Sequence, residues 1–335
     1  MARRRIYPIF IPHLGCPNEC VFCDQRRISG SPLPASGADV ARQLSQAERD
    51  GLRDMELAFY GGSFTAIPAA LQEELLSAAQ PFLDRGVISS IRLSTRPDAV
   101  DAAACERLRR YHVATVELGA QSMDDGVLLA SGRGHTASDT ERAAALVREA
   151  GFSLVLQMMT GLPGADRESD IETARRVIAL RPDGARIYPT VIVRGTELWQ
   201  MWRAGTYREH TVEDAVSVCA DILPMFEAAG IPVIRLGLNP TEELSGGEAA
   251  GGAYHPALGE LVRSEILRRK AAELLRGVPA GARVTLAVPP GAVSAMIGQH
   301  RRNIAALTEE FSLRELRVRP APEAEKDAII VDWTI

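Results

Sequence analysis

Short apolar runs rich in β-branched and aromatic residues alternate with longer amphipathic stretches along the first 240 residues of the chain. This alternation is the strongest constraint on the fold, because strands separated by helices pair side by side in a parallel sheet. No Gly-rich dinucleotide-binding pattern follows the first run, which favours a barrel over an open doubly wound sheet. The sequence therefore predicts an α/β fold built as a partial (β/α)6-type TIM barrel.

The predicted strands and helices follow one another at regular spacing. Strands are predicted at residues 7–13, 55–61, 90–95, 114–120, 153–159, 184–193 and 232–238. Helices are predicted near residues 39–50, 68–85, 99–111, 138–150, 167–180 and 211–229. In the helix near 138–150, Ser138 and Glu141 form the pattern of a capping box, and Gly151 provides a C-terminal stop.

A Gly-rich stretch at residues 239–260 is predicted to be irregular and to mark a domain edge. It divides a barrel domain, residues 1–240, from a small α+β domain, residues 241–335. In the small domain, "AMIGQHRRNIAALTEEF" stands between two strand-like runs and resembles the helix–GxxG–helix of KH domains, which clamps a nucleotide backbone. Gly298 takes the first glycine place of that motif, and Arg301 stands at the second.

Three of the five cysteines, Cys16, Cys20 and Cys23, form a C-x3-C-x2-C cluster directly after the first predicted strand. Thiolates select zinc, copper(I) or iron–sulfur clusters. A closed zinc site needs four ligands, and His13 would complete a Cys3His set. A 4Fe–4S cluster held by three thiolates would instead leave one iron open for a substrate or cofactor.

Other candidate motifs also follow predicted strands. "YGGSF" follows the second strand, "STRPD" the third and "GAQS" the fourth. In (β/α) barrels the chemistry lies at the carboxyl ends of the strands. The topology therefore predicts that these motifs and the cysteines meet at one site.

The cysteine spacing, with the aromatic Phe22 before the third cysteine, resembles the signature of the radical S-adenosylmethionine (SAM) superfamily. The resemblance implies that Cys16, Cys20 and Cys23 ligate three irons of a 4Fe–4S cluster and that SAM chelates the fourth iron. The reduced cluster would cleave SAM to methionine and a 5′-deoxyadenosyl radical, which abstracts a hydrogen from the substrate. An electron donor of the flavodoxin or ferredoxin type is implied as well.

The same resemblance implies a set of cofactor-binding residues. "YGGSF" is similar to the superfamily's GGE motif, whose backbone holds the amino group of SAM. Ser94 stands where relatives usually carry Glu. The residues implied to contact SAM are Gly61, Gly62, Ser63, Gln121, Arg133 and Gln157.

A closer resemblance, covering about residues 5–240, is to the radical SAM half of the Elongator catalytic subunit, which acts on wobble uridines of transfer RNA. Its longest matching segment is "IYPTVIVRGTELWQMW", in which Tyr188, Arg194 and Thr196 are implied to line the substrate side. Trp199 and Trp202 are predicted to form a core stripe on a short helix. We expect no acetyltransferase half in the residues that follow Leu238, so the resemblance implies the radical chemistry alone.

Composition adds limits on partners and location. The net charge is −5, and no apolar run approaches the roughly 20 residues of a membrane helix. Clustered cysteines in such a chain are typical of a cytoplasmic metal or redox protein. We predict a radical SAM enzyme that modifies RNA, with transfer RNA as a partner. The alternatives are a radical SAM enzyme for a small molecule, similar to coproporphyrinogen dehydrogenases, and a non-catalytic module that holds a cluster or zinc.

Overall fold

The computed structural model describes residues 5–16, 20–24, 35–238, 244–325 and 328–335, and of residues 244 and 245 the backbone alone. The strands are β1 (Ile6–Phe10), β2 (Met55–Tyr60), β3 (Ile88–Thr95), β4 (Val113–Gln121), β5 (Ser153–Thr160), β6 (Gly184–Pro189), β7 (Val191–Val193), β8 (Val233–Leu236), β9 (Ala249–Gly252), β10 (Arg283–Val288), β11 (Glu315–Pro320) and β12 (Ile330–Thr334). The helices are α1 (Gly37–Arg49), α2 (Ala69–Asp84), α3 (Ala102–Arg110), α4 (Asp125–Ala130), α5 (Ala137–Glu149), α6 (Arg167–Ala179), α7 (Glu197–Arg203), α8 (Val212–Ala228), α9 (Leu258–Leu275), α10 (Val293–Ile297) and α11 (Arg302–Glu310).

Seven strands form the main sheet in the order β1-β2-β3-β4-β5-β6-β8, and every neighbouring pair is parallel. Consecutive strands are neighbours, which is the order that a sheet has when it curls towards a barrel. The predicted partial TIM barrel is confirmed, with seven strands in its sheet. All carboxyl ends of these strands lie at one edge, so the loops that follow them are brought together.

Successive side chains along each strand point to opposite faces of the sheet, and the two faces differ in polarity. One face is fully buried and apolar, as at Leu93, Leu118 and Ile187, because helices cover the outside of such a sheet. The inner face carries charge at the alternate positions, including Arg92, Glu117 and Arg186. Buried charged groups of this kind persist only when they are paired and hydrogen-bonded.

Helix α5 begins two residues earlier than the sequence pattern indicates. Thr136 has extended backbone angles and caps the helix, and its backbone N–H donates to Asp139 Oδ2 over 2.8 Å. The predicted capping box of Ser138 and Glu141 is therefore wrong, because the same Ser/Thr-x-x-acid pattern also occurs two residues upstream. The predicted stop is confirmed, since Gly151 has φ +83° directly after the last cap residue.

The described chain divides into two compact units. The first comprises residues up to 211 with 225–254, and the second comprises residues 212–224 with 255–335. The domain limits inferred from the sequence, 1–240 and 241–335, stay a prediction. Part of the Gly-rich stretch that was expected to be irregular forms β9, which pairs antiparallel with β7. Residues 239–243 lie outside the described part of the chain.

The second unit has its own sheet and core. Strand β10 is central, parallel to β11 and antiparallel to β12. Apolar side chains of α9, β10 and α11, such as Leu275, Leu286 and Leu307, are fully buried in one cluster. The small α+β module that the sequence predicts is thus present. Among the described residues, no helix is long and apolar enough to cross a membrane.

Candidate active site at the carboxyl ends of the strands

The turn that follows β1 packs directly on the Gly-Gly turn that follows β2. Ser63 N–H donates to the carbonyl of Leu14 over 2.8 Å, and His13 N–H donates to the carbonyl of Gly61 over 3.0 Å. A Cβ at position 62 would lie 2.4 Å from the carbonyl oxygen of Ile11 and 2.7 Å from that of Leu14. Glycine at position 62 is thus required for this close approach, which presents the cysteine loop beside the backbone of Ser63.

Gly62→Ala is expected to push the cysteine loop away from the second strand and to lower the amount of cluster that the protein binds. The physical reason is that both clashing atoms are backbone oxygens, which cannot rotate away, and such overpacking costs about 1–3 kcal/mol. Iron and sulfide content per chain after anaerobic reconstitution measures the effect. Gly259→Ala is the matched control, since a Cβ there meets nothing within 4 Å. Equal iron content in the two variants would contradict this account of the turn.

The three clustered cysteines lie at this turn. Cys16 is exposed, and Cys20 and Cys23 are half-buried, with the Cys23 N–H donating to the Cys20 carbonyl over 2.9 Å. Although the residue is exposed, the neighbouring loop partly shields its sulfur from water, which raises the pKa of the Cys16 thiol. The nearby Cys20 raises that pKa further, and the guanidinium groups of Arg96 and Arg133 oppose both effects. Residues 17–19, between the first two cysteines, lie outside the described residues.

Three thiols on one loop are a donor set that fits an iron–sulfur cluster. Within the described residues, no group of three or more His, Cys, Asp or Glu side chains is close enough together to hold one ion. His13 Nε2 lies 3.7 Å from Asp24 Oδ1. A cubane cluster binds each thiolate through a different iron, so it holds the thiolates further apart than one zinc ion does.

Arg133 links the cysteine loop to the fourth strand. Its Nη1 donates to Cys20 Sγ over 3.2 Å, and its Nη2 donates to the carbonyl of Gly119 over 2.8 Å. A hydrogen bond to a thiolate sulfur stabilises added negative charge on a cluster. The expected fork between Arg133 and the carboxylate of SAM stays a prediction, because both terminal nitrogens contact the protein here.

Arg96 is a buried cation of this site that the sequence reasoning missed. It is 3% exposed, donates to the carbonyl of Arg133, and forms an ion pair with Asp98 at 2.9 Å. Its Nη1 is buried and has no hydrogen-bond partner among the described residues. The only sequence signal was its place in "STRPD" after the third strand. Arg96 therefore fixes Arg133 and brings a second positive charge to the cysteine loop.

Ser63, which stands in the place of the superfamily's Glu, joins this group through its side chain. Its hydroxyl accepts the Arg96 N–H over 3.1 Å and contacts the Thr95 hydroxyl at 3.0 Å. The departure from Glu thus replaces a charged group by a neutral one that holds the ends of β2 and β3 together.

The two predicted glutamines contact each other at the end of β4. Gln157 Nε2 donates to Gln121 Oε1 over 3.1 Å, and Gln121 has a left-handed backbone with φ +66° beside an irregularity in the sheet register. A Cβ at Gly119 would lie 3.0 Å from the Gln121 amide nitrogen and 3.4 Å from Arg133 Nη2. The small residue at 119 therefore lets Gln121, Gln157 and Arg133 meet. Their assignment as SAM contacts stays a prediction.

His135 is a second buried group that the sequence reasoning did not single out. Its Nε2 lies 3.2 Å from the Ala120 carbonyl. Burial, together with the positive charges of Arg133 and Arg96, lowers the pKa of His135 to about 4. His135 is therefore neutral at neutral pH and adds no charge to a site that already has two guanidinium groups.

The residues that were expected on the substrate side have different surroundings. Arg194 Nε donates to the carbonyl of Gly247 over 2.8 Å. The Thr196 hydroxyl accepts a hydrogen bond from the backbone N–H of Trp199 and so caps the N-terminus of α7. Tyr188 lies on the inner face of β6, where its hydroxyl accepts from Arg186 Nη1 over 3.2 Å. Of the three, Tyr188 alone is placed on the concave side of the barrel sheet.

The tryptophan pair was predicted to be a core stripe, and this is confirmed. Trp199 and Trp202 pack against the buried side chains of Val21, Ile192 and Leu198. Val21 lies between the second and third cysteines. The apolar contacts of α7 thus help to hold the cysteine loop.

Comparison with known proteins matches these features. Residues 10–177 match the model of the radical SAM superfamily, and residues 182–268 match the radical SAM C-terminal domain. The tRNA uridine(34) acetyltransferase of Dehalococcoides mccartyi is 29% identical over 245 residues, 62% of this chain and 53% of that protein. The Elongator complex protein 3 of Saccharomyces cerevisiae is 29% identical over 191 residues, 51% of this chain and 34% of that protein.

A solved structure of the archaeal Elp3 from Methanocaldococcus infernus has the same fold, with a TM-score of 0.63 and 21% identity over 80% of this chain and 64% of that one. The chain spans about half the length of the first relative and about a third of the second. Cysteine spacing, barrel topology and the family match agree. The chain belongs to the radical SAM superfamily, whose enzymes use a 4Fe–4S cluster and S-adenosylmethionine.

Proposed function

We propose that this protein modifies transfer RNA by radical SAM chemistry. The observation that carries the proposal is the arrangement of three thiols, a Gly-Gly turn and two buried guanidinium groups at the carboxyl edge of a partial barrel. A relative of the chain is, by its name, an enzyme that acts on tRNA uridine(34). When bound, a 4Fe–4S cluster and SAM supply a 5′-deoxyadenosyl radical that abstracts hydrogen. An electron donor of the flavodoxin or ferredoxin type would reduce the cluster.

The residues of the chain would position and shield these groups. Cys16, Cys20 and Cys23 would hold the cluster, and the backbone at Gly61, Gly62 and Ser63 would take the amino group of SAM. Arg133 would balance negative charge at the cluster through its contact with Cys20. Gln121 and Gln157 would contact the polar groups of SAM. Since such a cluster needs reduced thiols, we propose a cytoplasmic location.

The second unit supports RNA as the substrate. Between α10 and α11, Gly298, His300 and Arg301 all have positive φ, at +75°, +52° and +62°. Arg301 thus adopts the left-handed backbone at the place where the KH motif has its second glycine, and such strain concentrates at functional turns. The side chains of His300, Arg301 and Arg302 are exposed, and neither arginine has a carboxylate partner among the described residues. We propose that this turn contacts phosphates of the RNA.

Transfer RNA binding is expected to depend on this turn and on salt. The double variant Arg301→Glu with Arg302→Glu should bind bulk transfer RNA about tenfold or more weakly at low salt, since each lost phosphate contact removes counterion release. Filter binding at two salt concentrations measures it. Arg314→Glu is the matched control, an exposed arginine just beyond the other end of α11. Unchanged binding by the double variant would contradict the role of the turn.

The modified nucleoside identifies the reaction. Nucleosides from transfer RNA and small metabolites are compared by mass spectrometry in cells with and without the gene. A transfer RNA nucleoside that depends on the gene supports the proposal. A gene-dependent metabolite, together with no RNA binding at low salt, would favour the small-molecule enzyme. A fully loaded protein that forms no 5′-deoxyadenosine under reduction would indicate a non-catalytic module.

A further inference from the structure

A network of charged and phenolic groups crosses the inner face of the barrel sheet, apart from the cysteine site. Glu117 on β4 is its centre. Its carboxylate accepts from Arg92 Nη1 at 2.6 Å, from Arg186 Nε at 2.8 Å and Nη2 at 3.1 Å, and from the Tyr60 hydroxyl at 2.8 Å. Three of these hydrogen bonds end on Oε1 and one ends on Oε2. Glu117 is therefore held by three side chains at once.

The two tyrosines of the network differ in whether their hydroxyl protons have an acceptor. Tyr60 donates its proton to Glu117 and accepts from Arg186 Nη2 over 2.8 Å. The hydroxyl of Tyr188 accepts from Arg186 Nη1 over 3.2 Å, and among the described residues no acceptor takes its own proton. Burial raises the pKa of the Tyr188 phenol, so that proton is present at neutral pH. Tyr188 is thus an oriented donor that has no acceptor among the described residues.

The ring of Tyr188 lies on the side of the network nearest the cysteine loop. It packs in an apolar cluster with Met159 and Leu162, and this cluster also includes Phe22, the residue before the third cysteine. The phenol therefore stands between the guanidinium of Arg186 and the loop that would hold the iron–sulfur cluster. In the proposed function, the substrate would therefore approach the cysteine loop near Tyr188.

We propose that Tyr188 is a substrate-binding residue that donates a hydrogen bond to a ring carbonyl oxygen of the substrate, with Arg186 and Glu117 as the positioning residues that orient it. This inference rests on the proposed function, which makes the substrate a nucleotide. Arg186 polarises the phenol from behind, so the phenol prefers an oxygen that carries partial negative charge. A carbonyl of a pyrimidine base has this property, and adenine has no carbonyl.

The variant Tyr188→Phe tests the proposal because it keeps the ring and removes the donor. In the enzyme loaded with cluster and SAM, the amount of modified RNA per 5′-deoxyadenosine formed should fall about tenfold, as expected for one lost hydrogen bond to a polarised oxygen. The unfolding midpoint should fall only slightly, because the change removes one long hydrogen bond, the 3.2 Å bond that the Tyr188 hydroxyl accepts from Arg186 Nη1. Tyr60→Phe should lower that midpoint, since its proton is bound to Glu117. An unchanged product ratio for Tyr188→Phe would overturn the inference and leave the proposed function standing.

A second measurement does not require that the RNA reaction be known. Fluorotyrosine placed at position 188 reports hydrogen bonding at the phenol by fluorine NMR, in the loaded protein with uridine or adenosine as probes. A shift with uridine and none with adenosine supports the role of Tyr188, even where no RNA product is found and the proposed function fails. Equal spectra with both probes would overturn the role.

Discussion

Cys20→Ala is expected to lose the iron–sulfur cluster and, with it, all reductive cleavage of SAM. Three thiolates are the minimum that can hold three irons and leave the fourth open, so no redundancy protects the site. The change also removes the sulfur that accepts the 3.2 Å hydrogen bond from Arg133 Nη1. Iron content, the visible absorbance of the cluster and 5′-deoxyadenosine formation should all fall to background after anaerobic reconstitution.

The remaining cysteines provide matched controls for this prediction. Cys105 and Cys219 are buried in helices α3 and α8, away from the cysteine loop in sequence, and neither belongs to the C-x3-C-x2-C pattern. Cys105→Ala and Cys219→Ala should keep full iron content and SAM cleavage. Retained cluster in Cys20→Ala, or cluster loss in either control, would contradict the assignment of the ligands.

The order of the strands and the place of the site could be predicted from the sequence, because both depend on local signals. Apolar runs separated by amphipathic helices specify parallel strands, and parallel strands bring their carboxyl ends to one edge. The cysteines, "YGGSF" and "GAQS" each follow a strand and therefore had to meet. The prediction succeeded for motifs whose proximity follows from the order of the strands along the chain.

Arg96 and the charged network were missed because their contacts are long-range. Arg96 reaches the carbonyl of Arg133, 37 residues further along, and Arg186 reaches Glu117 across 69 residues. Each looks in the sequence like an ordinary polar residue near a strand. One signal was available, since Arg92, Glu117 and Arg186 are charged residues at interior positions of strands that are otherwise apolar. Charge in such a place predicts pairing, but the partners follow only from the curvature of the sheet.

The charged network should also dominate the stability of the barrel. Glu117→Ala is expected to lower the free energy of unfolding by about 3–5 kcal/mol, which is typical when one partner of a buried ion pair is removed. Arg92 keeps its contact with Glu56 at 2.6 Å, but Arg186 loses its only carboxylate partner among the described residues. Urea unfolding of the protein without cofactors, extrapolated linearly to water, measures the loss.

Exposure decides how large such an effect is, and a surface pair in the same fold serves as the control. Glu172 and Arg175 form a 3.0 Å pair on α6 in which both side chains are about half exposed. Glu172→Ala should therefore change the free energy of unfolding by less than about 1 kcal/mol. Adding Arg186→Met to Glu117→Ala should recover part of the loss, because the second change removes the uncompensated buried cation. A double variant with a lower free energy of unfolding than Glu117→Ala would contradict this account, because removing Arg186 would then cost stability even without its partner.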